Sequence, residues 1–275
     1  MISSLNIHQM TTHSFKNLSG IEYEVTELNA KHQRLISEDG GLTAKHFDEV
    51  LSEVIVRVGS VTIANMSADA RFAFIKKLPS DDRRKALFEA RQVTNDFEKD
   101  FHFKFQYESV QEHIKGAKLE EVIKVDIDKI ILERPYLYQV EEIEQFVYDY
   151  EGVFPRSGEQ YKFSLSNGFS EELKLGKVSS HTPILLRQPK LKKTVNKQGE
   201  PLKEPVWLVM NSDALDKLST KDIEHMRKQI HETEALFDSS ISFPHPEADY
   251  LPMNERRVRM DLLSVPAFYF PSGVI

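Results

Sequence analysis

The chain of 275 residues contains no cysteine. Disulfides, thiolate nucleophiles and every Cys-based zinc site are thereby excluded, and the usage suits a cytosolic folding environment. Long apolar runs are missing too: none approaches the ~18 residues that a membrane span requires. Met1 to Thr12 has neither the basic start nor the apolar stretch of a signal peptide, so no membrane partner and no secretion are expected. The chain also lacks a basic excess. Its net charge is −7, which gives no nucleic-acid footprint to the molecule as a whole. What it does have is a folding composition, 40% hydrophobic and 29% charged, long enough for one large domain or two of about 130 residues.

The strongest periodicity lies in Phe101 to Tyr107. Phe101, Phe103, Phe105 and Tyr107 share one parity and His102, Lys104 and Gln106 the other, as in a strand with one buried face. Ile123, Val125 and Ile127 supply an antiparallel partner across a polar loop around Gln111 to Lys118. Before this hairpin, Ser80 with Asp81 and Asp82 predicts a helix start, the helix carrying Leu87, Ala90 and Phe97 on one stripe. A similar order returns half a chain later. Lys77, Leu78, Ser80, Asp82, Phe97 and Phe103 fall opposite Lys217, Leu218, Thr220, Asp222, Phe237 and Phe243 at one constant offset, and Val125-Asp126-Ile127 matches Met260-Asp261-Leu262 at a slightly shorter one. Upstream, Phe15 to Gly20 is matched with Phe163 to Gly168. The expectation is an α+β protein of two similar halves, each a small helical group packed with an antiparallel β-hairpin. Residues 1–14 would form an N-terminal arm, 15–138 the first half and 139–275 the second.

Other elements follow from local signals. Phe47, Val50, Leu51, Val54, Ile55 and Val58 predict one helix from Thr43 to Gly59, and a second covers Ala68 to Lys77, stopped by Pro79. Ile130 to Tyr138 reads as a connection. Phe146, Tyr148 and Tyr150 with Tyr161, Phe163 and Leu165 predict another hairpin turned at Pro155 to Gly158, followed by a short helix from Ser170 to Gly176. Ser219 with Asp222 resembles a capping box, opening a helix with Ile223, Met226, Ile230 and Phe237 inward.

A search for chemistry finds little. His225 and His231 are six apart, on different faces of a helix. His245-Pro246-Glu247 matches the H-x-E of zinc deaminases but lacks their cysteine pair. Asp126 and Asp128 with Lys129 could serve a metal-dependent nuclease, although two acids opposite Val125 and Ile127 also suit a solvated strand face. No phosphate loop, dinucleotide fingerprint or nucleophile elbow is present. No catalytic residue, cofactor or metal is therefore expected.

Two segments are better suited to binding. Residues 176–205 form a Pro-punctuated basic insertion with Lys177, Arg187, Lys190, Lys192, Lys193, Lys197 and Lys203, read either as a solvated loop or as an arm docking on an acidic protein or, less favoured, on nucleic acid. No aromatic residues interleave with these lysines to stack bases. The terminal cluster Phe268, Tyr269 and Phe270 either tucks into the core or plugs into another subunit.

Taken together, Leu18-Ser19-Gly20 with Glu24, two helices, and a hairpin of FHFKFQY type returning through Lys124 to Asp128 resemble the baseplate hub and tail-assembly proteins of T-even-like contractile-tailed bacteriophages. Phe154-Pro155-Arg156-Ser157-Gly158, Leu165-Ser166 and the ending Phe268 to Ser272 resemble the second half of such proteins. The resemblance implies a non-enzymatic virion component of the tail baseplate, present in the host cytoplasm during assembly. Its partners would be other baseplate or tail proteins, or copies of itself around the tail axis. The resemblance equally allows an assembly chaperone absent from the mature particle. Relatives often carry paired cysteines in a zinc-ribbon-like tip; here the tips, Glu108 to Lys118 and His245 to Asn254, would be metal-free and held by aromatic faces alone.

Overall fold

The computed structural model describes residues 11–37, 44–137, 149–171, 181–195, 198 and 200–269. It is a mixed α+β structure of small antiparallel sheets and hairpins around helices. The first sheet is a meander of β1 (Thr12–Lys16), β2 (Glu22–Thr26), β3 (Ile55–Val58) and β4 (Val61–Thr62), in that spatial order. Gly20 turns the first hairpin with φ 93°, a left-handed conformation that costs glycine nothing. Between β2 and β3 lie α1 (Ala30–Ser37) and α2 (Ala44–Val54). The helix expected to run to Gly59 stops at Val54, because Ile55, Val56 and Val58 are β-branched and the segment pairs with β2. The predicted N-terminal arm is likewise shortened, since Thr12–Lys16 is a strand; residues 1–10 lie outside the described ones.

Helix α3 (Ala68–Lys77) has the predicted bounds, with Ser67 as its cap. Helix α4 (Ser80–Thr94) begins where expected but is capped differently. Pro79 holds the cap position, the Ser80 hydroxyl has no hydrogen-bond partner, and Asp82 points into the core. Phe97 leaves the helical stripe, with φ 59° and 47% exposure, because α4 ends at Thr94. Strands β5 (Asp100–Glu108) and β6 (Lys118–Asp126) then form the predicted hairpin, Phe101 opposite Val125 and Phe103 opposite Ile123. The supposed connection contains β7 (Leu132–Arg134).

The second sheet is again a four-stranded meander: β8 (Asp149–Val153), β9 (Gln160–Ser164), β10 (Lys190–Val195) and β11 (Pro201–Val209). Gly158, at φ 71°, turns its first hairpin as predicted; Phe146 and Tyr148 lie outside the described residues. Helices α5 (Gly168–Glu171) and α6 (Thr182–Leu185) stand between β9 and β10. Phe163 to Gly168, matched in the sequence with Phe15 to Gly20, is the end of a strand and the start of a helix, whereas Asn17–Ile21 is a hairpin turn. Residues 190–195 and 201–205, expected as part of the basic insertion, lie in paired strands with a bulge after Lys193, the second strand running on to Val209.

After α7 (Ser212–Asp216), α8 (Thr220–Thr233) opens on the predicted Ser219 cap and buries Ile223, Met226 and Ile230. Phe237 is buried too, but from β12 (Leu236–Asp238), which pairs with β7. Strands β13 (Ser240–Pro244) and β14 (Arg257–Asp261) form the last hairpin, Phe243 opposite Val258 and Ile241 opposite Met260. Both β6 and β14 end in an aspartate followed by a 3-10 turn that buries Ile127 or Leu262. The short helix α9 (Pro266–Tyr269) closes the described chain.

One buried core runs through all of this, from Leu18 and Val25 to Phe237 and Phe268. Gly152 belongs to it for lack of space: a Cβ there would lie 2.5 Å from the ring of its cross-strand partner Tyr161, which is fully buried. Gly152→Ala is expected to lose about 1–3 kcal/mol of unfolding free energy, the ordinary cost of overpacking. Chemical denaturation of the two proteins measures it, and an unchanged midpoint would mean that the Tyr161 ring can move aside.

Candidate interaction surfaces

The aromatic side of β5 packs on β13 and the residue that follows it in the same chain. Phe243 meets Phe103 and Phe105 edge-on, with ring centroids 6.0 and 5.2 Å away, and His245 packs likewise on Phe105 and Tyr107. The two hairpins thus cover one another. Their tips are also tied by a carboxylate: Glu247 accepts from the Ser109 hydroxyl (2.6 Å), the Val110 amide (2.7 Å) and the Gln111 side chain (3.1 Å). These donors, the Ser109 hydroxyl foremost, hold Glu247 below its usual pKa against the opposing effect of burial. Aromatic faces alone, as expected from the sequence, are therefore not the whole fastening. The H-P-E motif is spent here, with His245 Nδ1 accepting from the Glu247 amide at 3.0 Å.

Two buried aspartates organise the helix starts. Asp82 accepts from the Ser19 amide (3.0 Å), the Ser19 hydroxyl and the Tyr23 phenol (3.1 Å), so the first residues of α4 hold the turn of the first hairpin. At the start of α8, Asp222 accepts from the Arg156 amide (2.9 Å) in the turn of the β8–β9 hairpin and from the Ser219 hydroxyl (2.8 Å). The sequence signal for both was their shared offset, read there as part of a repeat and of helix capping. Burial pushes Asp82 up to about 7 despite its donors, and pushes its neighbour Asp81 up to about 6 although the Phe237 amide bonds it.

Buried arginines complete the polar interior. Arg83 pairs with Asp48 and, at 2.6 Å, with Glu171. Arg91 is buried, and among the described residues no carboxylate bonds it: Nε donates to the Phe268 carbonyl (3.0 Å), Nη1 to Gln92 Oε1 (2.7 Å) and the Glu98 carbonyl (2.9 Å), and its guanidinium lies 4.7 Å from the Phe268 ring centroid. Burial lowers its pKa to about 10. Of the two readings of the terminal cluster, Phe268 and Tyr269 follow the first: both are fully buried in the chain's own core, and the Tyr269 phenol donates to the Leu263 carbonyl (2.8 Å). Phe270 lies outside the described residues.

The basic residues are scattered in role. Arg187 is tied to Glu234, Nε to Oε1 at 2.7 Å, and serves the fold. Lys193 pairs with Glu159 (2.9 Å), and Lys190 stands 3.8 Å from Asp149, which Lys162 pairs more closely at 2.5 Å. Lys192 donates to the amide oxygen of Gln160 (2.7 Å) and lies over Trp207. Lys177 and Lys197 fall outside the described residues. The proposed nuclease acids are separately engaged, Asp126 by Lys129 (2.6 Å) and Asp128 by Lys99. Among the described residues no group of three or more His, Asp or Glu could hold a metal ion.

What the sequence did not reveal is the apolar character of the ribbon. Val195, Val206, Leu208 and Val209 are exposed on β10 and β11, and Trp207 carries Lys162 over its ring at 4.7 Å. Their alternation is hidden because neither face of the ribbon's outer part is buried. No family model matches the chain, and neither the curated proteins nor the solved structures contain a match.

Two outcomes follow from the buried groups. A folded-state pKa above the unfolded value of 3.8 means that the folded chain keeps a proton the unfolded chain has released. The stability contributed by protonated Asp82 is complete below pH ~4 and is lost as pH rises to about 7. Asp82→Asn removes that titration, so its melting temperature relative to wild type should rise between pH 5 and pH 8; a constant difference would contradict the assignment. Phe268→Ala should cost the isolated chain about 3–5 kcal/mol in urea unfolding, whereas no loss would mean that the tail contributes only within an assembly.

Proposed function

We propose that this chain is a non-enzymatic structural component of a contractile phage tail baseplate, built of two similar halves and acting by docking on neighbouring subunits. The observation that carries the docking reading is the division of apolar surface. The aromatic hairpin faces cover each other inside the chain, while the β10–β11 ribbon leaves valine, leucine and a partly buried tryptophan in solvent. Surface of that kind, flanked by lysines, suits an interface. The two-half reading draws support from the recurring order of meander, helix pair and hairpin, and from Asp82 and Asp222 each holding a hairpin turn. It is also supported by Phe103 and Phe243, which stand at the repeat offset and touch each other. The tail setting rests on the sequence resemblance.

Quantitative mass spectrometry of purified particles tests the role. Stoichiometric amounts of the chain are expected. Its absence from mature particles, with presence in assembly intermediates, would replace the structural role by that of an assembly chaperone.

A further inference from the structure

Strand β1 is the outer strand of the first sheet, and among the described strands it pairs with β2 alone. It also lies against α4. His13 Nε2 stands 3.6 Å from Glu89 Oε2 on that helix, an ion pair only when the imidazole is protonated. The His13 ring stacks on Phe15 at 6.0 Å and meets Phe97 edge-on at 5.0 Å. Lys85, one turn earlier on α4, lies over the Phe15 ring but pairs with Glu133 of β7 at 2.7 Å. Glu89 is thus a largely buried carboxyl, its side chain 15% exposed, beside a histidine and a lysine that another carboxylate already engages. Charged and phenolic groups that other elements bring to α4 are bonded elsewhere along it: Asp48 of α2 and Glu171 of α5 to Arg83, Asp261 of β14 to Arg84, and Tyr23 of β2 to Asp82.

We propose that β1 is a pH-operated clasp, closed on α4 while Glu89 holds a proton and peeling from β2 when Glu89 ionises, which bares the edge of β2. Burial pushes Glu89 up to about 7, with Lys85 opposing the rise and Glu133 reinforcing it. The value in the folded chain lies above the ordinary 4.5, so the hold on β1 is complete below pH ~4.5 and is lost as pH rises through 7. Imidazoles lose their charge in the same range, so the histidine offers no cation to the carboxylate once that has formed. The geometry keeps the opening local. Strand β1 is five residues long and bonded along one edge, whereas the turn that follows is fastened by Asp82 through the Ser19 amide and hydroxyl. Peeling therefore stops at Asn17–Ile21, and Asp82 takes no part in it.

Hydrogen exchange of the full chain, corrected for intrinsic rates and read by mass spectrometry over Thr12–Lys16, tests the clasp. Protection of β1 should fall about tenfold between pH 6 and pH 8, the linkage expected of a carboxyl that passes from about 7 to 4.5 on opening. At pH 8, β1 should exchange faster than β5. Glu89→Gln should abolish the fall in β1, while Asp82→Asn should leave it in place. Glu133→Gln, which removes the reinforcing charge, should move the midpoint of the fall to lower pH. An undiminished fall in Glu89→Gln would overturn the proposal. So would a β1 that exchanges no faster than β5 at pH 8, since the strand would then open only with the whole fold.

Discussion

Phe243 stands edge-on between Phe103 and Phe105, and this contact between two otherwise isolated two-stranded ribbons sets the positions of much else. A lone hairpin is marginal in water. Stacked, the ribbons shelter an aromatic row that continues through Phe101 to Phe268 and Phe88, so the hairpins, α4 and the C-terminal segment share one packed layer. The Glu247 carboxylate then fixes the far end, where Tyr107 and His245 form the last ring pair.

Around this layer the interior is unusually polar at its joints. Asp82, Asp222, Arg83 and Arg91 are all buried, each bonded to backbone or side chains distant in sequence. Such pairs cost desolvation that apolar packing would avoid, so they add little net stability. They do penalise any arrangement that leaves one partner behind. Arg83 illustrates this, because its position between Asp48 and Glu171 can be satisfied only when α2, α4 and α5 all meet.

Strands with one buried face were legible in the sequence. The parity of Phe101 to Tyr107 identified β5, and the register against Ile123 and Val125 follows from it. Helix α3 was stopped by Pro79 as its sequence requires. What lay opposite an apolar face could not be read, because periodicity reports burial and not the partner: the aromatic stripe found its cover in β13 of the same chain. Local sequence also misled where burial overrode it. Ser80 and the adjoining acids look like a solvent-exposed helix start, yet Asp82 is fully buried and binds a turn more than sixty residues away. The β10–β11 ribbon failed the other way, since lysines on a strand with two solvated faces erase the alternation by which strands are recognised.

Arg91 carries a consequence for synthesis on the ribosome. Its guanidinium takes a carbonyl and an aromatic ring from Phe268, delivered only after a further 177 residues have been synthesised. Until then Arg91 has only the nearby Gln92 side chain and Glu98 carbonyl as partners, and a nascent or truncated chain lacks the carbonyl and ring that complete its site. Maturation is thus coupled to translation past residue 268, and a prematurely released fragment would be left open to proteolysis.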